Sequence, residues 1–317
     1  MFEAIANFLV FNIIGMEANT HLTDSLIFFI ADALKISLLM VTVIACISFI
    51  RTYLPTHKLK HIFTKSRFGL AHLAAAMLGA VTPFCSCSSI PLFLGFLEAE
   101  APAGVAFAFL ITSPLVNEVV FVLMAATFGW QVAAFYAIGG IFLGVISGFV
   151  IEKILGKKGV EAKSSGKSIF GTQDDLPEIF RERITYSIHR AFRIFKRMWW
   201  IILIGVGIGS AIHGFLPSEF ILNLLGEKAT WWGVPLATLI GIPIYASSAT
   251  IVPIIFALVT KGLPLSSGIA LMLGAAGLSV PEAIMLRSVI STRALAVFFG
   301  IVAIGIMLLS YGFNFVA

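Results

Sequence analysis

The stretch "AVTPFCSCSSIP", residues 80–91, decides how the chain folds, because it interrupts a long apolar run with two prolines, two cysteines and four hydroxyl side chains. Pro83 and Pro91 each lack a backbone N–H and disfavour a helical conformation in the residue before them. Irregular backbone at membrane depth is tolerated only where it is buried in protein or lines a wet cavity. The stretch therefore predicts a broken helix that faces a central cavity and not lipid.

The composition places this break in a membrane. Of the 317 residues, 59% are hydrophobic and 12% are charged, and the mean hydropathy is +1.02. Soluble domains carry about 25% charged residues. Apolar runs recur that are long enough to cross about 30 Å of hydrocarbon. We therefore expect an all-α polytopic membrane protein, with apolar runs near residues 26–50, 68–97, 104–126, 131–151, 198–213, 233–257, 265–286 and 294–315.

The basic residues are concentrated in two loops, 51–67 and 152–197, and the second carries eleven of the 21 Lys and Arg. The positive-inside rule places both loops in the cytoplasm of a cell (inner) membrane protein. This distribution also argues against nucleic acid as a partner, despite the net charge of +5. Apolar residues recur at helical spacing over 176–197, which predicts an amphipathic helix on anionic lipid at the cytoplasmic surface.

An internal repeat divides the chain. Pro91 and Pro102 are eleven residues apart, and so are Pro253 and Pro264; a break rich in Ser and Thr precedes each pair. The predicted domains are an extracytoplasmic interfacial segment, a first transmembrane repeat, a cytoplasmic linker with the amphipathic helix, and a second transmembrane repeat, at 1–25, 26–151, 152–197 and 198–317.

The charges predict the orientation of each repeat. An even number of crossings must separate the two cytoplasmic loops, yet three apolar runs lie between them. The run 104–126, interrupted by Pro114 and Asn117, is predicted to be a re-entrant hairpin from the outside. The matching run 265–286 has basic flanks and would enter from the cytoplasm. We therefore expect two inverted-topology repeats, each with a broken helix and a re-entrant hairpin, as in secondary transporters.

The cysteines of the break indicate the kind of solute. Thiolates favour soft species such as trivalent arsenic, copper(I) or zinc. Cys85 and Cys87 alone do not complete a structural tetrahedral zinc site. They are therefore predicted to form a transient metal or metalloid site in transport, with no resident cofactor. The remaining cysteine, Cys46, is predicted to be a small apolar packing residue.

Two carboxylates, Glu118 and Glu282, lie within the apolar runs that are predicted to form hairpins. A carboxylate there is costly and tends to face a cavity, where it can carry a proton or bind a cation. His72 and His213 are predicted to be structural. The predicted substrate-binding residues are Cys85, Ser86, Cys87, Ser88, Ser89, Ser113, Asn117, Glu118, Ser247, Ser248, Thr250 and Glu282.

Other functions remain open from the residues alone. The sequence has no P-loop, HExxH or GxSxG motif in a credible setting, so we expect neither an ATP-driven pump nor an enzyme. One alternative is a membrane thiol–disulfide relay, in which Cys85 and Cys87 exchange electrons with a thioredoxin-like partner. Another is a channel.

The stretch "TPFCSCSSIPLFLGFLEAEAPAGVAFAFLITSPLVNE", residues 82–118, resembles the ArsP-like predicted permeases, whose members include organoarsenical efflux transporters. The proline that this family usually has between Asn and Glu is absent, since Glu118 directly follows Asn117. The resemblance implies a permease that acts without ATP and exports trivalent methylated arsenic or another thiophilic compound. It leaves the substrate open, because the family is heterogeneous.

Overall fold

The computed structural model of the protein describes residues 2–14, 21–51, 69–82, 86–98, 101–156, 180–215, 224–225, 232–244, 248–287 and 289–315. Within these ranges the regular elements are all helices, as expected for the all-α class. A π-helical turn, Leu9–Ile14, follows α1, and a 3-10 turn, Phe313–Phe315, follows α13. The helices are α1 Phe2–Phe8, α2 His21–Arg51, α3 Leu70–Val81, α4 Ser86–Glu98, α5 Ala103–Leu115, α6 Glu118–Phe128, α7 Trp130–Leu155, α8 Phe180–Phe215, α9 Gly233–Gly241, α10 Ser248–Thr260, α11 Leu265–Gly277, α12 Val280–Arg287 and α13 Thr292–Gly312.

Three segments of the described chain are long and apolar enough to cross a membrane: Trp130–Leu155, Leu265–Arg287 and Thr292–Phe315. The first is α7, the second is α11 with α12, and the third is α13 with the 3-10 turn. The pair α5 and α6 makes a fourth when taken as one span bent by 44°. The fold is therefore that of a multi-pass α-helical membrane protein.

Helices α3 and α4 run in opposite directions. On α3, His72 lies beside Gly104 near the start of α5, and Gly79 lies beside Ser113 near its end, so α3 and α5 run parallel. On α4, Ser89 near the start hydrogen-bonds Ser113 near the end of α5, and Phe93 further along α4 contacts Phe107 earlier in α5, so α4 and α5 run antiparallel. The chain direction is thus opposite in α3, which ends at Val81, and in α4, which begins at Ser86.

Helices α5 and α6, in contrast, continue in one general direction, since their axes differ by 44°. Both pack along the single straight helix α7. The sequence predicted a broken helix that crosses the membrane over 68–97 and a re-entrant hairpin over 104–126. This geometry does not support that assignment, because the reversal lies in 70–98. A short apolar helix has the same composition whether the chain turns back after it or continues, so packing against α5 decides the direction.

A stripe of small residues brings α5 and α7 into close contact. Gly140, Gly144 and Gly148 lie on one face of α7, four residues apart, and α5 packs against that face. A Cβ atom at Gly148 would lie 2.5 Å from the carbonyl oxygen of Gly104, so the two backbones nearly touch. Small residues at such intervals are how membrane helices approach closely. The close packing fixes α5, and with it the end of α5 at Leu115, against a long spanning helix.

The helix boundaries recur at a constant offset. The first residues of α4 and α10 are Ser86 and Ser248, which are 162 positions apart (248 − 86 = 162). The same offset separates the starts of α5 and α11, of α6 and α12, and of α7 and α13. We call residues at this offset equivalent. Pro91 and Pro253 are equivalent, whereas Pro83 and Pro243 are two positions out of this register.

The equivalent helices α7 and α13 pack against each other in antiparallel directions. A Cβ atom at Gly305 would lie 3.1 Å from Leu143 Cγ, and these two residues are equivalent (305 − 143 = 162). Four residues earlier in α7, Gly139 contacts Leu309, which lies four residues later in α13. Four residues earlier again, the ring of Phe135 meets that of Phe313 at 4.8 Å between centroids.

The predicted amphipathic helix at 176–197 and the predicted span at 198–213 form one element, α8. Its 36 residues extend over about 54 Å at 1.5 Å per residue, which exceeds the hydrocarbon thickness. It packs antiparallel to α2: the rings of Phe49 and Phe180 are 5.7 Å apart, and Gly207 lies beside Phe29. The amphipathic helix was predicted to run into the following span, and in the structure the two are continuous and pack on α2. Its position at the cytoplasmic surface stays a prediction.

Candidate functional site

In the first repeat, the helices on either side of the proline–cysteine stretch both pack on the end of α5. A Cβ atom at Gly79, near the end of α3, would lie 3.0 Å from the Phe109 carbonyl oxygen and 3.1 Å from the Ser113 nitrogen, so α3 lies directly against the α5 backbone. From the other side of the break, the Ser89 and Ser113 hydroxyl oxygens are 2.6 Å apart, and both residues are fully buried. The two serines that the sequence predicted as site residues therefore form one polar contact between α4 and α5.

In the second repeat, α9 approaches α11 as α3 approaches α5, but the pair of hydroxyl groups is absent at the equivalent positions. A Cβ atom at Gly241, which is equivalent to Gly79, would lie 2.7 and 2.9 Å from the equivalent backbone atoms of α11. The residues equivalent to Ser89 and Ser113 are Ile251 and Ala275, and both are buried. The first repeat thus carries hydroxyl groups where the second carries only apolar groups.

The ends of the equivalent helices α5 and α11 contact each other. Leu115 and Gly277 are the last residues of α5 and α11, and they are equivalent. A Cβ atom at Gly277 would lie 2.7 Å from Leu115 Cδ2. The N–H of Val280, at the start of α12, donates to the Ile242 carbonyl at the end of α9 at 3.3 Å. Across the repeats, α12 packs on α4 and α10 packs on α6.

The described site residues differ in exposure. Asn117 is half-buried and caps α6, because its side-chain oxygen accepts a hydrogen bond from the Val120 N–H at 2.8 Å. Glu118 is exposed at the first position of α6. Ser279 and Glu282 are buried at 3% and 1% exposure. Of the two predicted carboxylates, the structure therefore buries only Glu282.

The side chains of several predicted site residues lie outside the part of the chain that the structure describes. Cys85 and Ser247 lie outside the described residues. The others begin α4 and α10, and their side-chain placement lies outside the description: Ser86, Cys87, Ser88, Ser248 and Thr250. Among the described residues no three His, Cys, Asp or Glu side chains form a group that could hold a metal ion. Cys46 is exposed on α2, so it does not fill the core as predicted.

A buried tyrosine supports the break between α5 and α6, and the sequence analysis missed it. The Tyr136 hydroxyl on α7 donates to the carbonyl of Leu115, the last residue of α5. That carbonyl lacks a helical partner because the helix ends there. Pro114 one position earlier signals the interruption, but only the packing of α7 shows which residue satisfies it.

A polar pair that the sequence analysis also missed joins α3 to α7. His72 Nε2 and Glu152 Oε2 are 3.1 Å apart, and the His72 ring stacks on Phe149 with 4.1 Å between centroids. Gly104 on α5 lies against both polar side chains. Glu152 follows the predicted span 131–151 directly and was therefore assigned to the loop. His72 is structural, as predicted, in the sense that it fixes the start of α3.

Comparison with known proteins adds a family. The family model ArsP_1, described as a predicted permease, matches residues 21–315. The chain is 23% identical over 290 residues to UPF0718 protein MJ0584 of Methanocaldococcus jannaschii, covering 74% of this chain and 79% of that protein. It is 25% identical over 214 residues to a putative two-component membrane permease complex subunit of Streptococcus mutans, covering 61% and 70%.

A third relative is UPF0718 protein YraQ of Escherichia coli, 22% identical over 251 residues, covering 78% of this chain and 68% of that protein. No solved structure matches the chain. The family match covers both repeats, the proline–cysteine break and Glu282. The resemblance found from the sequence motif is thereby confirmed: the chain belongs to the ArsP_1 family of predicted permeases, which supports a transporter role in the membrane.

Proposed function

We propose that the protein is a secondary permease that exports a small thiophilic solute by alternating access between two inverted repeats. The solute class is that of a trivalent organoarsenical, a metalloid or a soft metal species. The observation that carries the proposal is the antiparallel packing of the equivalent helices α7 and α13, centred on Leu143 and Gly305.

Antiparallel packing of equivalent helices supports inversion for a geometric reason. Two helices that each cross the membrane and run in opposite directions are related by a two-fold axis perpendicular to their length, which lies in the membrane plane. An axis along the membrane normal would make them parallel. The charges agree, since α7 carries Lys153 near its end whereas α13 carries Arg293 near its start.

The proposed topology follows from the cytoplasmic assignment of loops 51–67 and 152–197. Helices α3 and α4 form a re-entrant hairpin from the cytoplasm, and α5 with α6 crosses to the outside. In the second repeat, α9 and α10 form a re-entrant hairpin from the outside, and α11 with α12 crosses to the cytoplasm. Both hairpin tips then lie near the midplane, where broken helices of secondary transporters bind their solutes.

The solute class is proposed from the side chains near the first tip. Cys85 lies in the sequence between α3 and α4, and Cys87 is the second residue of α4. Ser89 on the same helix forms the polar contact with Ser113 of α5. Two thiols in an interrupted segment suit a soft solute that must later be released. The second tip has Ala246, Ser247 and Ser248 instead, so the proposed thiol site belongs to one repeat.

Transport by everted membrane vesicles tests this proposal, with phenylarsine oxide as a trivalent arsenical probe. We expect vesicles that contain the protein to accumulate the probe, and Cys85→Ser/Cys87→Ser to reduce accumulation to the vesicle background. Cys46→Ser on the exposed face of α2 is the matched control and should transport normally. Normal accumulation by the double variant would refute the thiol site. If the protein instead exchanges disulfides with thioredoxin through these cysteines and moves no probe, the relay replaces the permease.

A further inference from the structure

The His72–Glu152 pair ties the start of α3 to the end of α7. His72 Nε2 and Glu152 Oε2 are 3.1 Å apart, and the two side chains are 7% and 32% exposed, respectively. A carboxylate oxygen accepts hydrogen bonds, so Nε2 is the ring nitrogen that carries the proton. In the proposed topology, the end of α7 that carries Glu152 faces the cytoplasm. The pair therefore combines a partly exposed carboxylate with a buried imidazole ring at one end of the protein.

The second ring nitrogen of His72 is buried without a partner. Nδ1 has no hydrogen-bond partner among the described residues, and the ring stacks on Phe149 with 4.1 Å between centroids. A buried polar atom without a partner costs free energy, which water recovers once the atom is exposed. A proton on Nδ1 would add an unpaired donor and a positive charge in the same place, and burial disfavours both. The packed position therefore suits the neutral ring.

The carboxylate of Glu152 attracts a positively charged ring and so opposes this effect of burial. The Glu152 side chain is 32% exposed, so water weakens that attraction. The buried Nδ1 gains water only when the ring leaves its place against Phe149. Binding of a second proton and separation of α3 from α7 therefore favour each other, as thermodynamic linkage requires.

Helix α3 can move at its start while its end stays in place. Gly69, directly before the helix, has a φ of +105°, which residues with a side chain rarely adopt, so it can act as a hinge. At the other end, a Cβ atom at Gly79 would lie 3.0 Å from the Phe109 carbonyl oxygen, so α3 is closely packed on α5 there. Leu70 and Leu73, in the first turn, are exposed and do not hold the start of α3 against the protein. The polar pair thus acts on the end of α3 that lies next to the hinge.

The second repeat cannot form this pair. Val234 and Asn314 are equivalent to His72 and Glu152 (234 − 72 = 162 and 314 − 152 = 162). Val234 is buried on α9, and Asn314 is exposed after the end of α13. Helix α9 packs on α11 and α13 as α3 packs on α5 and α7, but valine has no polar side-chain atom. The pair is therefore a feature of one repeat and of one end of the protein.

The other ionisable groups on the elements packed against the pair are few. Apart from His72, neither α3 nor α5 carries one. Lys153 on α7 and Arg293 on α13 are exposed at the same end of the protein as the pair. The side chains of residues 52–68 and 157–179 lie outside the description. Three further ionisable groups, on α6, α7 and α13, lie further along α7 and away from the pair: Glu118, Tyr136 and Tyr311.

We infer that the His72–Glu152 pair is a proton-sensitive latch of the permease. It holds the start of α3 on α7 while the imidazole is neutral, and it releases α3 about the Gly69 hinge when Nδ1 takes a second proton. The proton comes from water at that end of the protein and returns there when α3 packs back. The inference rests on the proposed function, since release of α3 opens the proposed re-entrant hairpin on the cytoplasmic side.

The first experiment measures opening without a transport substrate. Ala75 on α3 and its equivalent Ala237 on α9 are both buried, and each is replaced singly by cysteine in a variant that lacks the native cysteines. The rate of reaction with N-ethylmaleimide, which crosses membranes, is measured in native membranes, and the ratio of the two rates removes the pH dependence of the thiol chemistry itself. As the pH falls from about 7.5 to about 5.5, across the ordinary pKa of histidine, we expect the Ala75→Cys rate to rise at least about threefold relative to the Ala237→Cys rate.

Two histidine variants assign this response. His72→Gln retains a side-chain N–H that can donate to Glu152 but takes no second proton, so the ratio should no longer depend on pH. His189→Gln, at an exposed position on α8, is the matched control and should keep the pH response. A ratio that is constant with pH when His72 is present, or that still changes with pH in His72→Gln, would overturn the inference.

A change to the partner of His72 tests the latch even where His72→Gln does not fold. Glu152→Gln keeps a hydrogen-bond acceptor at a partly exposed position but removes the negative charge. We expect the ratio at about pH 7.5 to rise about twofold or more, because a neutral acceptor holds the ring less strongly, while the pH dependence remains. A ratio that is the same as with Glu152 at both pH values would show that the carboxylate does not hold α3, and the latch would be refuted.

Phenylarsine oxide transport separates failure of the latch from failure of the proposed function. In everted vesicles the cytoplasmic side faces the medium, so accumulation by the native protein should depend on the pH of the medium, and accumulation by His72→Gln should not. A pH-dependent labelling ratio in a protein that moves no phenylarsine oxide overturns the proposed solute class and leaves the latch. Transport that keeps its pH dependence in His72→Gln overturns the latch and leaves the permease.

Discussion

Leu143 and Gly305 occupy equivalent positions in the two repeats and pack against each other, with Leu143 Cγ 3.1 Å from where a Cβ of Gly305 would lie. Leu115 and Gly277 are a second such pair. Contact between equivalent residues on antiparallel helices is what a two-fold axis between the repeats would produce, so these pairs support the inverted arrangement that we propose. In both pairs the leucine belongs to the first repeat and the glycine to the second.

The leucine–glycine pair on the axis predicts that its two members are interchangeable. Gly305→Leu places two leucines in one space, and overpacking of this kind costs about 1–3 kcal/mol. The exchange Leu143→Gly/Gly305→Leu recreates the same contact with the repeats swapped, so it should restore most of that loss. The measurement is the free energy of unfolding in mixed micelles. A double variant no more stable than Gly305→Leu would contradict the two-fold relation.

Gly104 is predicted to tolerate no side chain. A Cβ atom there would lie 2.6 Å from His72 Nε2 and 2.7 Å from the Gly148 carbonyl oxygen, and the second atom belongs to the backbone of α7. Gly104→Ala should therefore separate α5 from α7 and destabilise the protein by about 2 kcal/mol or more. Gly300→Ala is the control, because no atom lies within 4 Å of its Cβ position.

The control variant Gly300→Ala should be as stable as the native protein or up to about 1 kcal/mol more stable, since alanine has a higher helix propensity than glycine. Both variants are compared by thermal unfolding in the same detergent. An unchanged melting temperature for Gly104→Ala would mean that α5 and α7 are not held as closely as described.

The proposed reversals between α3 and α4 and between α9 and α10 predict which side of the membrane each exposed basic residue faces. Lys153, Lys261 and Arg293 are all exposed, so each can be replaced singly by cysteine in a variant that lacks the native cysteines. An impermeant maleimide added to intact cells should label Lys261→Cys. It should label Lys153→Cys and Arg293→Cys only after permeabilisation.

The side of the membrane on which residue 261 lies distinguishes two topologies. A hairpin at 265–286, as the charges alone suggested, would put Lys261 and Arg293 on the same cytoplasmic side. Reversal within α9 and α10 puts them on opposite sides. Labelling of both from the same side would therefore refute the topology that we propose.

The Ser89–Ser113 contact is predicted to couple α4 to the end of α5. Each single change to alanine removes a 2.6 Å hydrogen bond between fully buried hydroxyls, at a cost of about 1–2 kcal/mol. The double change should cost clearly less than the two single changes together, because the same bond is lost in each. Unfolding free energies of the four proteins give the coupling directly. Additive costs would show that the two hydroxyls do not act as a pair.

Part of this architecture follows from the sequence alone. The apolar runs and sparse charges indicate membrane spans, and the prolines with adjacent serines indicate interruptions near residues 83 and 116. The break was predicted too long, because residues 86–91 belong to the first turns of α4. The spacing shared by Pro91 and Pro253 reveals two repeats, and the PFCSCS motif indicates the family. These features are local, since each depends on residue types within about one helical segment.

The tertiary structure decided the path of the chain at each break and the burial of each carboxylate, which the local sequence pattern does not determine. A short apolar helix before a break looks the same whether the chain turns back or continues, so only packing on α5 showed that α3 and α4 reverse. The motif around Glu282 resembles that around Glu118, but the starts of α6 and α12 make Glu282 equivalent to Val120. One carboxylate is buried and the other is exposed because burial depends on neighbours that are distant in the chain. The sequence thus determined where the chain breaks, and the packing of the two repeats decided which residues those breaks enclose.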